Sequence, residues 1–131
     1  MVRQNQTKSK KSKQRSVEVG RVYILASFNN TIVTLTDLQG NVLSWGSSGS
    51  TGFKGTKKAT PFAATLSVEK VLKKAQNDFG LKEVEVYIKG PGLGRDAALR
   101  AVRSTGLKIS LIADVTPIPH NGPRRKKKRR A

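Results

Sequence analysis

The chain contains no cysteine, and histidine occurs only once among its 131 residues. Without a thiol, neither a disulfide framework nor a thiolate metal site can form, and the single imidazole of His120 cannot build a histidine-rich metal site. No apolar run approaches the roughly 18 residues that span a membrane. These absences lead us to expect no metal, no cofactor and no membrane partner.

Acidic residues are also scarce, and the basic residues that outnumber them are concentrated at the two ends. Eight Asp and Glu stand against 26 Lys and Arg, which gives a formal net charge of +18. Residues 1–16 and residues 120–131 are both strongly basic and contain no acid. Because densely packed like charges repel and cannot bury apolar surface, we expect two basic tails that are disordered alone, on either side of a single α/β domain at 17–119.

Tails of this charge fit a polyanion, since phosphates pair with basic side chains and release condensed counterions without sequence preference. An anionic membrane surface is an alternative partner, but neither tail carries the Trp, Phe or Leu that would anchor it in lipid. Two further alternatives are a transit peptide for residues 1–16 and a nuclear localisation signal for residues 124–130. The charge distribution favours nucleic acid.

The residues between the tails show alternating strand and helix patterns. Predicted strands cover 17–28, 31–36, 42–45, 83–89 and 107–115, and predicted helices cover 61–79 and 94–105. Thr60 and Pro61 suit the start of the first helix, and Gly80 suits its end. Asn29-Asn30 is a hairpin turn signal. The first three strands should therefore form an antiparallel meander.

The connections predict the topology of the sheet. Strands joined by helices should be parallel, with right-handed crossovers. The predicted order is therefore 3-2-1-4-5 with strand 2 antiparallel, a five-stranded mixed sheet flanked by helices in a ribonuclease H-like topology. The segments that follow strands 1, 3, 4 and 5 should then emerge together, at what we call the carboxyl edge, where open α/β sheets usually bind ligands. Those segments are 29–30, 46–60, 90–95 and the chain from 116 onward.

Two glycine-rich segments at the carboxyl edge combine features that suit phosphate. Residues 46–58 (GSSGSTGFKGTKK) supply glycines, hydroxyls and three lysines, with a flexible linker as the alternative interpretation. Residues 90–95 (GPGLGR) join a strand to a helix N-terminus, where free N–H groups favour an anion and Arg95 adds a guanidinium. A plain tight turn is the alternative there. The glycine spacing matches neither a dinucleotide fingerprint nor a Walker A motif.

A nuclease is the enzyme class that such a sheet could host, and it needs carboxylates clustered around two metals. Glu18 lies at the start of strand 1, and Glu83 and Glu85 fall on the outer face of strand 4. Asp114 ends strand 5 without an evident partner. We therefore expect no enzymatic activity.

The expected RNA contacts are the turn, glycine-loop, helix and tail residues with amide, backbone or cationic groups to offer. They are Asn29, Asn30, Lys54, Gly55, Lys57, Lys58, Gly92, Gly94, Arg95, Arg103, His120, Asn121, Arg124, Arg125, Lys126, Lys127, Lys128, Arg129 and Arg130. Asn121 precedes Gly122, whose unhindered nitrogen can attack the amide and lead to isoaspartate, unless packing against RNA holds Asn121 unreactive. Among the aromatic residues, Phe53 is a stacking candidate, whereas Phe28 and Trp45 are expected in the core.

Four long motifs, in the right order, carry a resemblance to one family. They are ASFNNTIVTLTD (26–37), GFKGTKKATPFAA (52–64), KGPGLGRDAALRAVRSTGL (89–107) and DVTPIPHNG (114–122). Together they resemble ribosomal protein S-eleven of the bacterial or organellar small subunit, over nearly all of residues 20–122. The ending departs from the family pattern, because Pro123 and an unbroken basic run stand where Cys, Arg and two prolines are usual.

The resemblance implies a structural constituent of the small subunit of the cytoplasmic ribosome, bound to ribosomal RNA of the platform. There the family bridges RNA helices and helps form the cleft that receives the messenger's Shine-Dalgarno duplex in translation. It also implies small-subunit proteins seven and eighteen as neighbours, and possible contact with initiation factor three. A free-standing RNA chaperone is the alternative from another class.

Overall fold

The computed structural model describes residues 16–130 as one mixed β-sheet with two long helices. The strands are β1 Val19–Ala26, β2 Thr31–Thr36, β3 Val42–Ser47, β4 Glu83–Lys89 and β5 Lys108–Asp114, and the helices are α1 Pro61–Phe79 and α2 Gly94–Ser104. All five predicted strands and both predicted helices are present, with ends within two residues of the predicted ones. A short 3-10 helix at Gly55–Ala59 was not predicted.

The strand order is β3-β2-β1-β4-β5, as predicted. β1 pairs antiparallel with β2, where Val22 lies opposite Leu35, and parallel with β4, where Val22 lies opposite Val86. β2 pairs antiparallel with β3, and β4 pairs parallel with β5. β2 therefore runs opposite to the other four strands, and the chain leaves those four at the same edge of the sheet.

Local signals fix both ends of α1. The Thr60 hydroxyl accepts a hydrogen bond from the Ala63 N–H at 3.4 Å, and Pro61 occupies the first turn, where no N–H is needed. Gly80 ends the helix with a φ of 68°, a left-handed conformation that favours glycine, and its N–H donates to the Gln76 carbonyl. The predicted bounds of this helix, 61–79, are confirmed. They could be predicted because they depend on adjacent residues alone.

Both helices pack against the sheet and against each other, and so lie on the same face. Two crossovers that run in the same direction across a sheet share a face when both are right-handed, as such connections almost always are. The buried apolar residues shared by sheet and helices include Val22, Ile24, Val33, Leu35, Val84 and Val86 from the strands and Val68, Val71, Leu72, Ala98, Ala101 and Val102 from the helices. Phe62, which fits the apolar pattern of α1, is 65% exposed instead. Ala63 and Ala64 occupy the buried side of that first turn.

Within residues 16–130 no helix packs against the opposite face of the sheet, and this uncovered face carries mixed, partly exposed side chains. Tyr23 and Tyr87 stack there, with ring centroids 5.2 Å apart. The Nε atom of Arg21 lies 3.4 Å from the Glu85 carboxylate. Glu85 is thus engaged in an ion pair on the outer face of β4, where the alternation of this strand predicts it.

Two aromatic residues expected in the core lie on the surface, so that prediction is wrong. Trp45 is 64% exposed because it pairs with Thr34, which lies opposite Tyr23 on the uncovered face. Phe28 is 75% exposed because it lies in the turn between β1 and β2.

Residues 115–130 follow β5 as an irregular and largely exposed segment. Its start is tied to the sheet, since the Val115 N–H donates to the Ile88 carbonyl at 2.8 Å. The predicted N-terminal tail lies outside the described residues, apart from Ser16. The division into two tails and one domain at 17–119, and the disorder of those tails, stay predictions.

Candidate nucleic-acid interface

The segments that follow the parallel strands meet at the carboxyl edge, as the topology requires. The loop after β4 packs onto the end of β1, where the Gly92 N–H donates to the Ala26 carbonyl at 2.7 Å. The turn after β1 and the 3-10 helix line a common cleft, to which they contribute Asn29 and Lys58. The structure therefore brings these predicted contacts together at one end of the sheet.

The glycine-rich segment after β3 is a hydrogen-bonded loop. The Ser48 N–H donates to the Thr31 carbonyl at 3.0 Å, which ties the loop to the start of β2. Within the loop, the Thr51 N–H donates to the Ser47 carbonyl and the Phe53 N–H to the Ser48 carbonyl, both at 3.2 Å. These hydrogen bonds give the segment a defined loop structure, which disfavours its interpretation as a flexible linker.

The loop delivers three lysines to the carboxyl edge. Lys54 immediately precedes the 3-10 helix, and Lys57 and Lys58 lie in its last turn. Lys54 and Lys57 are exposed, whereas Lys58 is half-buried, with its Cδ atom close to Gly49. The aliphatic stem of Lys58 is thus packed against the protein, an arrangement that lets a lysine keep its ammonium group at the surface.

Both helix N-termini open at the same edge. α1 starts at Pro61 after the 3-10 helix, and α2 starts at Gly94 after the loop that follows β4. Leu93, at the cap position of α2, offers no side-chain hydrogen bond. The first N–H groups of α2 and its dipole therefore suit an external anion. Glycine is required at 94, because a Cβ atom there would collide with the Thr31 hydroxyl and lie 3.0 Å from the Ala64 Cβ.

Arg95 is held in a closed set of hydrogen bonds, which we call the Arg95 ring. Its guanidinium donates to the Gly90 carbonyl at 2.9 Å and to the Asp114 carboxylate at 2.6 Å. The other carboxylate oxygen accepts from the Thr116 hydroxyl at 2.6 Å and from the Thr116 N–H at 3.0 Å. The Thr116 hydroxyl in turn accepts from the Gly90 N–H at 3.1 Å. The ring joins the loop after β4 to the segment after β5 that leads into the C-terminal tail.

The expectation that Asp114 lacks a partner is wrong, because the Arg95 ring supplies two. Hydrogen bonds from the Thr116 hydroxyl and then from the Arg95 guanidinium hold the pKa of Asp114 below its usual range. The Arg95 and Asp114 side chains are 33% and 52% exposed, so solvent screens this ion pair and its net stabilisation is small. Its main effect is orientation, since Asp114 fixes the guanidinium that sequence analysis assigns to phosphate.

One predicted contact lies away from the carboxyl edge. Arg103 is in the last turn of α2, beside Leu107 near the start of β5. An 11-residue helix is about 16 Å long, so α2 carries Arg103 to the other end of the sheet. The turn that begins at Asp37 also lies at that end, beside Val19, as the topology predicts.

The tail residues predicted to contact RNA are exposed along the irregular segment after β5. His120, Asn121 and the basic run at 124–130 belong to this group. Asn121 has a φ of 56°, in the left-handed region that asparagine tolerates better than most residues. Contact of these residues with RNA stays a prediction.

Phe28 is the surface feature that sequence analysis missed. It lines a cleft of about 420 Å³ with Asn29, Gly55, Lys58 and Ala59. Its position between Ser27 and Asn29, both turn-forming residues, is the signal that could have revealed its exposure.

Two negative findings hold for residues 16–130. No helix there is long and apolar enough to cross a membrane. In the same range, no group of three or more His, Asp or Glu residues could hold a metal ion.

Comparison with known proteins identifies the family to which this chain belongs. The model of the family described as ribosomal protein S11 matches residues 20–130. The small ribosomal subunit protein uS11 of Borreliella burgdorferi (strain ZS7) is 56% identical over 124 residues, which cover 95% of each chain. The protein of that name from Nitratidesulfovibrio vulgaris (strain DSM 19637 / Miyazaki F) is 55% identical over 130 residues, 99% of each chain.

The chain belongs to the ribosomal protein S11 family. It is a structural, non-enzymatic constituent of the small subunit of the cytoplasmic ribosome. As such it associates with ribosomal RNA and with other ribosomal proteins. The resemblance drawn from the four sequence motifs is confirmed.

Proposed function

We propose that the carboxyl edge is the surface by which this protein binds ribosomal RNA of the small-subunit platform. There it bridges RNA helices and helps form the cleft for the Shine-Dalgarno duplex. Its neighbours are small-subunit proteins seven and eighteen, and initiation factor three contacts it. Residues 17–119 act as one RNA-binding domain of ribonuclease H-like topology, and residues 1–16 and 120–131 act as basic tails that are disordered until they meet RNA.

The observation that carries the proposal is the convergence of anion-binding features at one edge. Two helix N-termini open there, and the uncapped start of α2 lies beside the oriented guanidinium of Arg95. Lys54 and Lys57 add exposed positive charge, and the segment that leads into the basic tail at 120–131 leaves the same edge at Thr116. Phosphate contacts of this kind fix the position of a protein on RNA without reading sequence.

Hydroxyl-radical footprinting of small subunits tests the proposal. Subunits reconstituted with the protein should show protected platform RNA that is cleaved when the protein is omitted. The protein should also remain with small subunits through high-salt washing, whereas a free-standing RNA chaperone would be released.

A pair of matched double variants locates the contact on the protein. Lys54→Ala with Lys57→Ala removes two exposed charges from the carboxyl edge, and Lys82→Ala with Lys108→Ala removes two exposed charges from the opposite end. The first pair should weaken binding and lower the salt slope by about 0.7–0.9 per lost phosphate contact. The second pair should change binding little. Equal losses in the two pairs would show that the carboxyl edge is not the binding surface.

A further inference from the structure

The cleft between the β1–β2 turn and the 3-10 helix has the chemistry of a nucleobase site. It is lined by Phe28, Asn29, Gly55, Lys58 and Ala59, and its volume of about 420 Å³ falls within the range of small-ligand sites. We propose that this cleft takes one unpaired RNA base, stacked on Phe28, with the attached phosphate at Lys58. This inference rests on the proposed function and adds that one nucleotide is held by its base.

Phe28 supplies the stacking surface. The residue is 75% exposed, although a phenyl ring gains nothing from contact with water. The faces of paired bases are covered by their neighbours in a duplex, whereas an unpaired base can leave the stack and lie on an aromatic ring. An exposed ring on a turn can reach such a base.

The turn fixes the backbone on both sides of Phe28 before any base arrives. The Ser27 N–H donates to the Asn30 carbonyl at 2.9 Å. The Ser27 hydroxyl oxygen accepts from the backbone N–H groups of Asn29 and Asn30 at 3.3 and 3.1 Å. The Asn30 side chain accepts from the Thr31 N–H at 2.8 Å, which ties the turn to β2. The backbone of the turn therefore needs little ordering on binding, which favours affinity.

Asn29 and Lys58 complete the recognition of a nucleotide. Asn29 uses its backbone N–H in the turn and carries its side-chain amide on the exposed surface. This amide offers both a donor and an acceptor, which suits the edge of a base. Lys58 brings positive charge from the other wall, and its stem is packed near Gly49. Stacking, edge hydrogen bonds and a phosphate partner thus meet in one cleft.

Chemical probing of reconstituted small subunits tests the site. The variants are Phe28→Leu, which removes the ring but keeps apolar bulk, and Phe28→Tyr, which keeps the ring. Trp45→Leu is the matched control, since it removes another exposed ring from the uncovered face of the sheet. Base reactivity is read with dimethyl sulfate and carbodiimide, and backbone contact is read with hydroxyl radicals.

We expect Phe28→Leu to raise the reactivity of one or a few unpaired bases and to leave the backbone footprint in place. Loss of one base–aromatic stack should weaken occupancy of the cleft roughly 5- to 150-fold. Phe28→Tyr and Trp45→Leu should match the original protein. Asn29→Ala should expose the same bases.

Other outcomes overturn the inference in distinguishable ways. If no backbone footprint forms with the original protein, the proposed function fails and the base site fails with it. If the footprint forms but Phe28→Leu changes no base, the base site alone is wrong. If Phe28→Leu instead releases a neighbouring ribosomal protein and leaves the bases unchanged, the occupant of the cleft is a protein side chain.

Discussion

Replacing Gly92 with alanine adds only one methyl group, but it should displace the loop after β4 and destabilise the protein. Gly92 is buried against the end of β1, and a Cβ atom there would collide with the Ser27 carbonyl oxygen and lie 2.7 Å from the carbonyl carbon of Ala26. These are backbone atoms, and Ala26 is paired with Thr31 in the sheet. Neither group can rotate away, so the loop itself must move.

The expected loss of stability has two parts. Forcing a methyl group into a packed site costs about 1–3 kcal/mol. Movement of the loop also breaks the 2.7 Å hydrogen bond from the Gly92 N–H to the Ala26 carbonyl, which costs about 0.5–1.5 kcal/mol. The sum is about 1.5–4.5 kcal/mol, a large share of the roughly 5–15 kcal/mol that stabilises a domain of this kind.

Urea unfolding followed by far-ultraviolet circular dichroism measures this difference, and Gly49→Ala is the control. A Cβ atom at Gly49 would meet its nearest neighbour, the Lys58 Cδ, at an ordinary 3.5 Å. Gly49→Ala should therefore change the free energy of unfolding by less than about 0.5 kcal/mol. If Gly92→Ala were as stable as Gly49→Ala, the close approach of the loop to β1 would not constrain the protein, and the reasoning would be refuted.

Three further predictions concern the Arg95 ring and the tail. Because the pKa of Asp114 is lowered in the folded protein, this carboxylate stabilises the fold above its usual pKa of 3.8, and that stabilisation is lost as the pH falls below 3.8. Between about pH 4 and pH 2 the free energy of unfolding should therefore fall less for Asp114→Asn than for the original protein. Equal acid profiles would contradict this. Deleting Arg124–Arg130 should weaken binding to platform RNA and to unrelated RNA alike, and should lower the salt slope by about 3 if roughly four phosphate contacts are lost. Arg95→Ala should instead weaken binding to platform RNA selectively. A deletion that erased discrimination between the two RNAs at an unchanged salt slope would reverse these roles. Peptide mapping of the free protein should find isoaspartate at the exposed Asn121, and Gly122→Ala should suppress it; its absence after prolonged incubation at neutral pH would contradict the prediction.

Much of the architecture was predictable because it depends on local signals and chain connectivity. The alternation in β4 and the cap and stop residues of α1, Thr60 and Gly80, act within a few residues of one another. The strand order followed from helical connections, which force parallel pairing. The same order makes β1 and β3 parallel, so the segments that follow them bring Asn29 and Lys58 to one edge.

The details of the carboxyl edge depend on register, which no local pattern shows. The pairing of β4 with β5 shifts by one residue between Val84 and Glu85, and this irregularity places Asp114 opposite Ile88. Asp114 can then reach Arg95, a partner 19 residues away in sequence. Without that shift the carboxylate would fall at a different position along the strand.

The sequence alone determined the order of strands and helices, the concentration of charge in the tails and membership in the family, because these depend on composition, spacing and contiguous motifs. The tertiary structure decided that Phe28 lies on the surface, that Asp114 orients Arg95 and that Gly92 presses on β1. The contacts of Asp114 and Gly92 join segments distant in the chain, at separations of a few ångströms. Such separations are fixed by how the whole sheet packs rather than by the properties of adjacent residues.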